Sequence, residues 1–162
     1  MRNLQDILYK AGITEVNGTL NQNIKNIAFD SREVDNGDVF VAIKGFVSDG
    51  HFYIEKAIDL GAKVIVCEDL PKVLNDKVTY VVVPDASVAL AVMAANFYDN
   101  PSKDIKLIGV TGTNGKTSVA NFIRQIWELL GKEAVNFGTA GVEGAYTESL
   151  NHTTPEPITL HR

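Results

Sequence analysis

The chain has 162 residues, enough for one full domain or for one domain and part of another. Hydrophobic residues make up 45% and charged residues 22%, an ordinary balance for a globular protein. The net charge of -5 excludes a general nucleic-acid binder, whose surface needs clustered Lys and Arg. No stretch is long and apolar enough to span a bilayer, and residues 1–10 lack the apolar core of a signal peptide, so no membrane insertion is expected.

Leu4, Ile7, Leu8 and Ala11 recur at helical spacing, and Gly12 can end that helix. Residues 24–29 and 39–43 are β-branched runs bounded by Asn, Asp and Gly, and are predicted strands. Ile54, Ala57 and Ile58 share a helical face closed by Gly61, and strands are predicted at 63–67 and 78–83. The single cysteine, Cys67, falls in the first of these and reads as a small apolar core residue. With no second cysteine it forms no internal disulfide, which suits a reducing, cytoplasmic compartment. Ser87 is the expected N-cap of a helix running through Val88, Ala91, Val92 and Ala95.

Residues 99–103, Asp-Asn-Pro-Ser-Lys, form a natural seam, because proline removes a donor and disfavours helix in the residue before it. The expected division is 1–100 and 101–162. Beyond the seam the pattern restarts with a strand at 105–110, a glycine-bearing loop, a helix over 117–130 and a strand at 133–137. The helix carries Val119, Phe122, Ile123, Ile126, Trp127 and Leu130 on one face. This is the opening of a parallel α/β sheet. After Phe137 no periodicity is clear, and Gly138, Gly141 and Gly144 read as a flexible loop. Too few strands remain for a second complete domain, so the chain is expected to stop partway through one. The predicted fold class is α/β: an N-terminal mixed-sheet α/β domain followed by the first part of a P-loop-type parallel α/β ATPase domain.

The strongest chemical signal is Gly109-Val110-Thr111-Gly112-Thr113-Asn114-Gly115-Lys116-Thr117, between a predicted strand and a predicted helix. Glycines there let backbone N–H groups converge on phosphate oxygens, and the helix dipole adds positive potential. Lys116 can bridge β- and γ-phosphates, and the Thr117 hydroxyl can hold Mg²⁺. The loop is one glycine shorter than the standard pattern, with Val110 at the first glycine position.

Residues 111–117 resemble the ATP loop of the Mur ligases and their folylpolyglutamate synthetase relatives. Upstream, Asp30-Ser31-Arg32, Gly37-Asp38-Val39-Phe40-Val41-Ala42 and Gly45-Phe46-Val47-Ser48-Asp49-Gly50-His51-Phe52 look like the domain with which the MurE and MurF branches grip a uridine nucleotide; the synthetases lack it. Downstream, Gly138-Thr139-Ala140-Gly141 and Thr153-Thr154-Pro155-Glu156 resemble the MurE branch. Each motif outside the ATP loop is weak alone, and their order and spacing together carry the resemblance.

It implies an ATP- and Mg²⁺-dependent ligase of peptidoglycan synthesis. The substrates would be UDP-N-acetylmuramoyl-L-alanyl-D-glutamate and an amino acid, meso-diaminopimelate or L-lysine, joined through an acyl phosphate. It assigns Gly112, Thr113, Asn114, Gly115, Lys116, Thr117 and Ser118 to ATP, with Lys116 catalytic and Thr117 on the metal. It assigns Ser31, Phe46, Val47, Ser48, Thr153 and Thr154 to the substrate. Phe46 stands where the family often has histidine, and His152 where it often has asparagine. Arg32 is left between a pyrophosphate contact and a structural ion pair. His51 reads as a loop or helix-start residue. The family's carbamylated lysine and distal metal ligand would lie beyond Arg162, so this stretch alone is expected to lack turnover; a monomer is favoured. The rival readings are a MurF-type ligase adding D-alanyl-D-alanine, and a non-catalytic module that binds a uridine nucleotide.

Overall fold

The computed structural model describes residues 1–45, 48–138, 141–148 and 155–162, in two compact units: 1–101 with 161–162, and 102–160. The protein is mixed α/β.

The first unit starts with strand β1 (Arg2–Asn3) and helix α1 (Leu4–Ile7). Strands β2 (Glu15–Asn17), β3 (Asn23–Ile24), β4 (Ile27–Ala28) and β5 (Val39–Val41) follow, then helix α2 (Ile54–Asp59), strands β6 (Val64–Cys67) and β7 (Thr79–Val82), and helix α3 (Ala86–Phe97). Five strands form one sheet in the order β2-β7-β6-β5-β4. β4 to β7 run parallel, and β2 joins antiparallel at the β7 edge. The run expected at 24–29 is two short pieces: β3 pairs with β1, and only β4 enters the main sheet. The polar strand β2 is exposed along its length and has no apolar alternation by which it could have been foreseen.

Parallel strands buried on both faces read as continuous apolar runs, and these do. Phe40, Ala42, Ile65, Cys67 and Tyr80 join Ile54 and Ala57 of α2 in one core cluster. The alternate residues Val39, Val41, Val64, Val66 and Val81 are equally buried. Burial pushes the Cys67 thiol up to about 11, with the charge of Asp69 adding to it, so Cys67 is a core residue and not a nucleophile.

α1 packs on α3, and the Asn96 amide ties them by donating to the Ile7 and Tyr9 carbonyls at 3.0 and 2.7 Å. α3 departs from expectation twice. Its N-cap is Asp85, whose carboxylate accepts from the Val88 N–H at 2.9 Å, while Ser87 lies inside the first turn. Its buried face is Ala86, Ala89, Leu90, Met93 and Ala94, and Val88 is exposed. The helix is apolar nearly all round, so periodicity could not choose the face.

In the second unit, helix α4 (Lys116–Leu129) precedes strands β8 (Val135–Gly138) and β9 (Gly141–Gly144), and a short helix α5 (Pro157–His161) lies near the chain end. β8 and β9 pair antiparallel, so the glycine spacing read as a flexible loop is strand. The strand expected at 105–110 is not formed: those residues carry no ladder, and Ile105, Leu107 and Ile108 are exposed. A strand exists only by pairing, and among the described residues β8 pairs with β9 and not with this run. The apolar stripe of α4 is present, but Val119, Phe122 and Ile126 are exposed on it. Among the described residues no helix is long and apolar enough to cross a membrane.

Candidate functional site

The glycine loop of the second unit runs into α4. Gly115 is the helix N-cap with φ +78°, a left-handed conformation that costs any residue with a Cβ. Among the described residues no side chain caps this end, and the first helical bond in the turn is Val119 N–H to the Gly115 carbonyl at 2.9 Å. The amides of Lys116, Thr117 and Ser118 precede that bond and so have no acceptor within the helix. An uncapped helix start of this kind favours an anion.

Lys116 is the first helical residue, exposed, with its ammonium turned back over the loop. Nζ donates to the Gly112 carbonyl at 2.7 Å and lies 3.5 Å from that of Thr113. Among the described residues no carboxylate pairs with it, so its charge stays over the loop. Thr113 and Asn114 occupy the exposed turn, and Thr117 and Ser118 the exposed first turn of α4.

In the first unit the parallel run decides which residues meet. The segments leaving the carboxyl ends of β4, β5, β6 and β7 carry Asp30-Ser31-Arg32, then Lys44, Ser48 and His51, then Glu68-Asp69, then Asp85, and these residues therefore emerge along one sheet edge. Ligands of open parallel sheets bind at that edge. Ser31 is buried, next to an Asp30–Arg32 pair in which the guanidinium contacts both carboxylate oxygens. The Arg32 side chain, and then its backbone N–H, hold the Asp30 carboxyl down at about 2. The ion-pair reading of Arg32 is thus realised.

Ser48 is exposed and its Oγ donates to the Tyr53 hydroxyl at 3.0 Å; Tyr53 is also within electrostatic range of Arg32. Lys44 Nζ bridges Asp69 at 2.7 Å and Glu68 at 3.0 Å. Lys44, Glu68 and Asp69 were not singled out in the sequence, because they meet across a long stretch of chain; Tyr53 was not because no local motif marks it. Phe46, Val47, Thr153, Thr154 and His152 lie outside the described residues.

An exposed glycine loop with a lysine at an uncapped helix start, together with a polar edge on a parallel sheet, defines an α/β protein with nucleotide-binding features. The chain belongs to the Mur ligase family. Its residues 23–98 match the family's catalytic-domain model and residues 110–162 the Mur ligase middle domain.

Among curated relatives, the UDP-N-acetylmuramoyl-L-alanyl-D-glutamate–2,6-diaminopimelate ligase of Phocaeicola vulgatus is 39% identical over 98% of this chain and 33% of its own length. An enzyme of the same name from Clostridium botulinum is 46% identical over 86% of this chain and 29% of its own. A solved ligase of that name superposes with a TM-score of 0.72 at 23% identity, covering 99% of this chain and 32% of that one, which supports the fold. The chain therefore spans about a third of the length of the curated relatives it matches.

Proposed function

We propose that the chain carries the ATP loop and the uridine-nucleotide edge of a ligase that joins 2,6-diaminopimelate to UDP-N-acetylmuramoyl-L-alanyl-D-glutamate. The observation that carries this reading is the exposed Gly112–Lys116 turn at an uncapped helix start. Curated relatives whose names state that reaction are 38 to 46% identical, and the solved ligase so named superposes at a TM-score of 0.72 with 23% identity. A solved ligase from Acinetobacter baumannii whose name states D-alanyl-D-alanyl addition superposes less well, at a TM-score of 0.54 and 27% identity over 86% of this chain and 29% of that one.

A carboxylate is a poor acyl donor. ATP, when bound, supplies the phosphoryl group that converts one of its oxygens into a leaving group, and the incoming amine then displaces phosphate. The residues present fit such a polyanion. The amides of Lys116, Thr117 and Ser118 would donate to its phosphate oxygens, and Gly112, Thr113, Asn114 and Gly115 would let the backbone come close. Lys116 would leave the Gly112 and Thr113 carbonyls to offset phosphate charge. The Thr117 hydroxyl is placed on the helix turn where it would hold Mg²⁺, whose charge offsets that of two meeting anions.

Residues 1–100 grip the uridine nucleotide, through Ser31 and Ser48 on the parallel-sheet edge. Residues 101–162 begin the ATP-binding domain. Phe46, Val47, Thr153 and Thr154 are assigned to the substrate on sequence alone. A reaction that consumes ATP and a nucleotide-linked precursor belongs in the cytoplasm.

Calorimetric titration of the chain with Mg-ATP, and separately with UDP-N-acetylmuramoyl-L-alanyl-D-glutamate, tests each half. Both are expected to bind without competing, and Ser31→Ala is expected to weaken the second alone. Absence of ATP binding would remove the ligase reading; absence of uridine-nucleotide binding would remove the role of the first unit.

A further inference from the structure

Three polar contacts fix the His51 ring. Its Nε2 lies 3.1 Å from the Glu68 N–H and 3.3 Å from the Asp69 N–H, both of which can only donate. Nε2 must therefore be bare, and the ring proton sits on Nδ1, which meets Asp49 Oδ1 at 2.6 Å. The same Asp49 oxygen accepts from the His51 backbone N–H at 2.9 Å, closing a short 3₁₀ turn over Gly50–Tyr53. Only 14% of the imidazole side chain is exposed.

The ring joins two segments that local sequence does not connect. One is the turn leaving β6. The other is the stem of the segment leaving β5, where the backbones of Lys44 and Asp49 form an isolated antiparallel β-bridge, Gly45 N–H donates to the Ser48 carbonyl at 3.0 Å, and Gly50 N–H donates to the Ile43 carbonyl at 2.8 Å. The backbones there are so close that a Cβ on Gly50 would lie 2.7 Å from the Ile43 nitrogen. Ser48 is thus set in place by a stem whose far end is held by His51. The charged groups around the ring are Asp49 on its own turn, Glu68 and Asp69 from the β6 side, and Lys44 from the β5 side. Lys44 pairs with both Glu68 and Asp69.

We infer that His51 is the positioning residue of the uridine-nucleotide edge: as the Nδ1–H tautomer it pins the Ser48-bearing stem to the end of β6. It touches no substrate itself. The inference rests on the proposed role of that edge, and it deepens that role by naming the group that presets its geometry. A preset loop binds its ligand without the cost of ordering it.

Two substitutions separate an acceptor at the Nε2 position from any other polar replacement. His51→Gln carries an amide oxygen near the place of Nε2, and His51→Asn carries one near Nδ1. UDP-N-acetylmuramoyl-L-alanyl-D-glutamate is titrated into each full chain, and the Glu68, Asp69 and Ser48 amides are followed by NMR. His51→Gln is expected to bind within about threefold of the parent, while His51→Asn weakens binding by about tenfold or more, the loss expected for two unpaired donors. In the parent, ring nitrogen shifts are expected to show Nδ1 protonated and Nε2 bare. Equal binding by the two variants, or a parent ring protonated at Nε2, overturns the inference while leaving the nucleotide edge standing. A parent chain that does not bind the uridine nucleotide overturns both, and the ring shifts then report whether the pin exists without that role.

Discussion

Lys116 Nζ donates to the carbonyl oxygen of Gly112 at 2.7 Å, so the loop's cation rests on the loop's own backbone. This exposed hydrogen bond is worth little, and a phosphate oxygen offers a charge-assisted one instead. Lys116→Ala is therefore expected to leave the melting temperature of the chain nearly unchanged and to weaken Mg-ATP binding by about tenfold or more. Calorimetry alongside a thermal melt checks both. Unchanged affinity would show that the lysine does not reach the nucleotide.

Gly115 faces open space, since a Cβ there would meet nothing within 4 Å, yet its φ is +78°. The cost of Gly115→Ala is thus conformational and not steric, about 1–2 kcal/mol for a left-handed alanine. Urea unfolding monitored by circular dichroism should register that loss, and Mg-ATP affinity should fall as the turn relaxes. A variant as stable as the parent would mean that the turn adopts another conformation in solution.

Asp85 and Ser87 offer a contrast within one turn. Asp85 accepts the Val88 N–H at 2.9 Å, and Ala86 N–H is taken by Glu68 at 3.1 Å, so the start of α3 is capped by two carboxylates. Asp85→Ala should cost about 1 kcal/mol, the usual worth of a lost N-cap. Ser87→Ala, on the exposed side of the first turn, should stay within about 0.5 kcal/mol of the parent. Urea midpoints of the two variants decide this, and the reverse ranking would restore Ser87 as the cap.

Hydrogen bonds from the Arg32 side chain hold the folded Asp30 carboxyl at about 2, below the ordinary carboxylate value. The folded chain therefore prefers the ionised form, and as pH falls the unfolded chain takes up this proton first. The stabilisation is complete above about pH 4 and is lost as pH drops toward 2. Comparing the urea midpoints of the parent and Asp30→Asn at pH 6, 4 and 3 isolates it. The gap between the two should be widest at pH 6 and narrow on acidification; a constant gap would show that the pair does not form.

The glycine loop and the helix start after it were legible in the sequence because their physics is local. Within nine residues, Gly109 to Thr117 supply the flexible backbone, the cation and the helix start. Val64 to Cys67 and Thr79 to Val82 were legible for a related reason: strands buried on both faces must be apolar throughout. The seam near Pro101 follows from proline's own geometry.

What tertiary structure decided is whatever depends on partners distant in the chain. The buried face of α3 was chosen by packing, since almost any face would have served. Residues 105–110 have strand-forming side chains but acquired no ladder, because a strand's hydrogen bonds belong to its neighbour and not to itself. His51 read as a loop or helix-start residue, and it does stand at the start of the 3₁₀ turn over Gly50–Tyr53; the two N–H groups that meet its Nε2 come from the turn after β6, 17 and 18 residues away. Side-chain periodicity and backbone propensity are written residue by residue; hydrogen-bond acceptors and sheet neighbours are assigned only when the chain closes on itself.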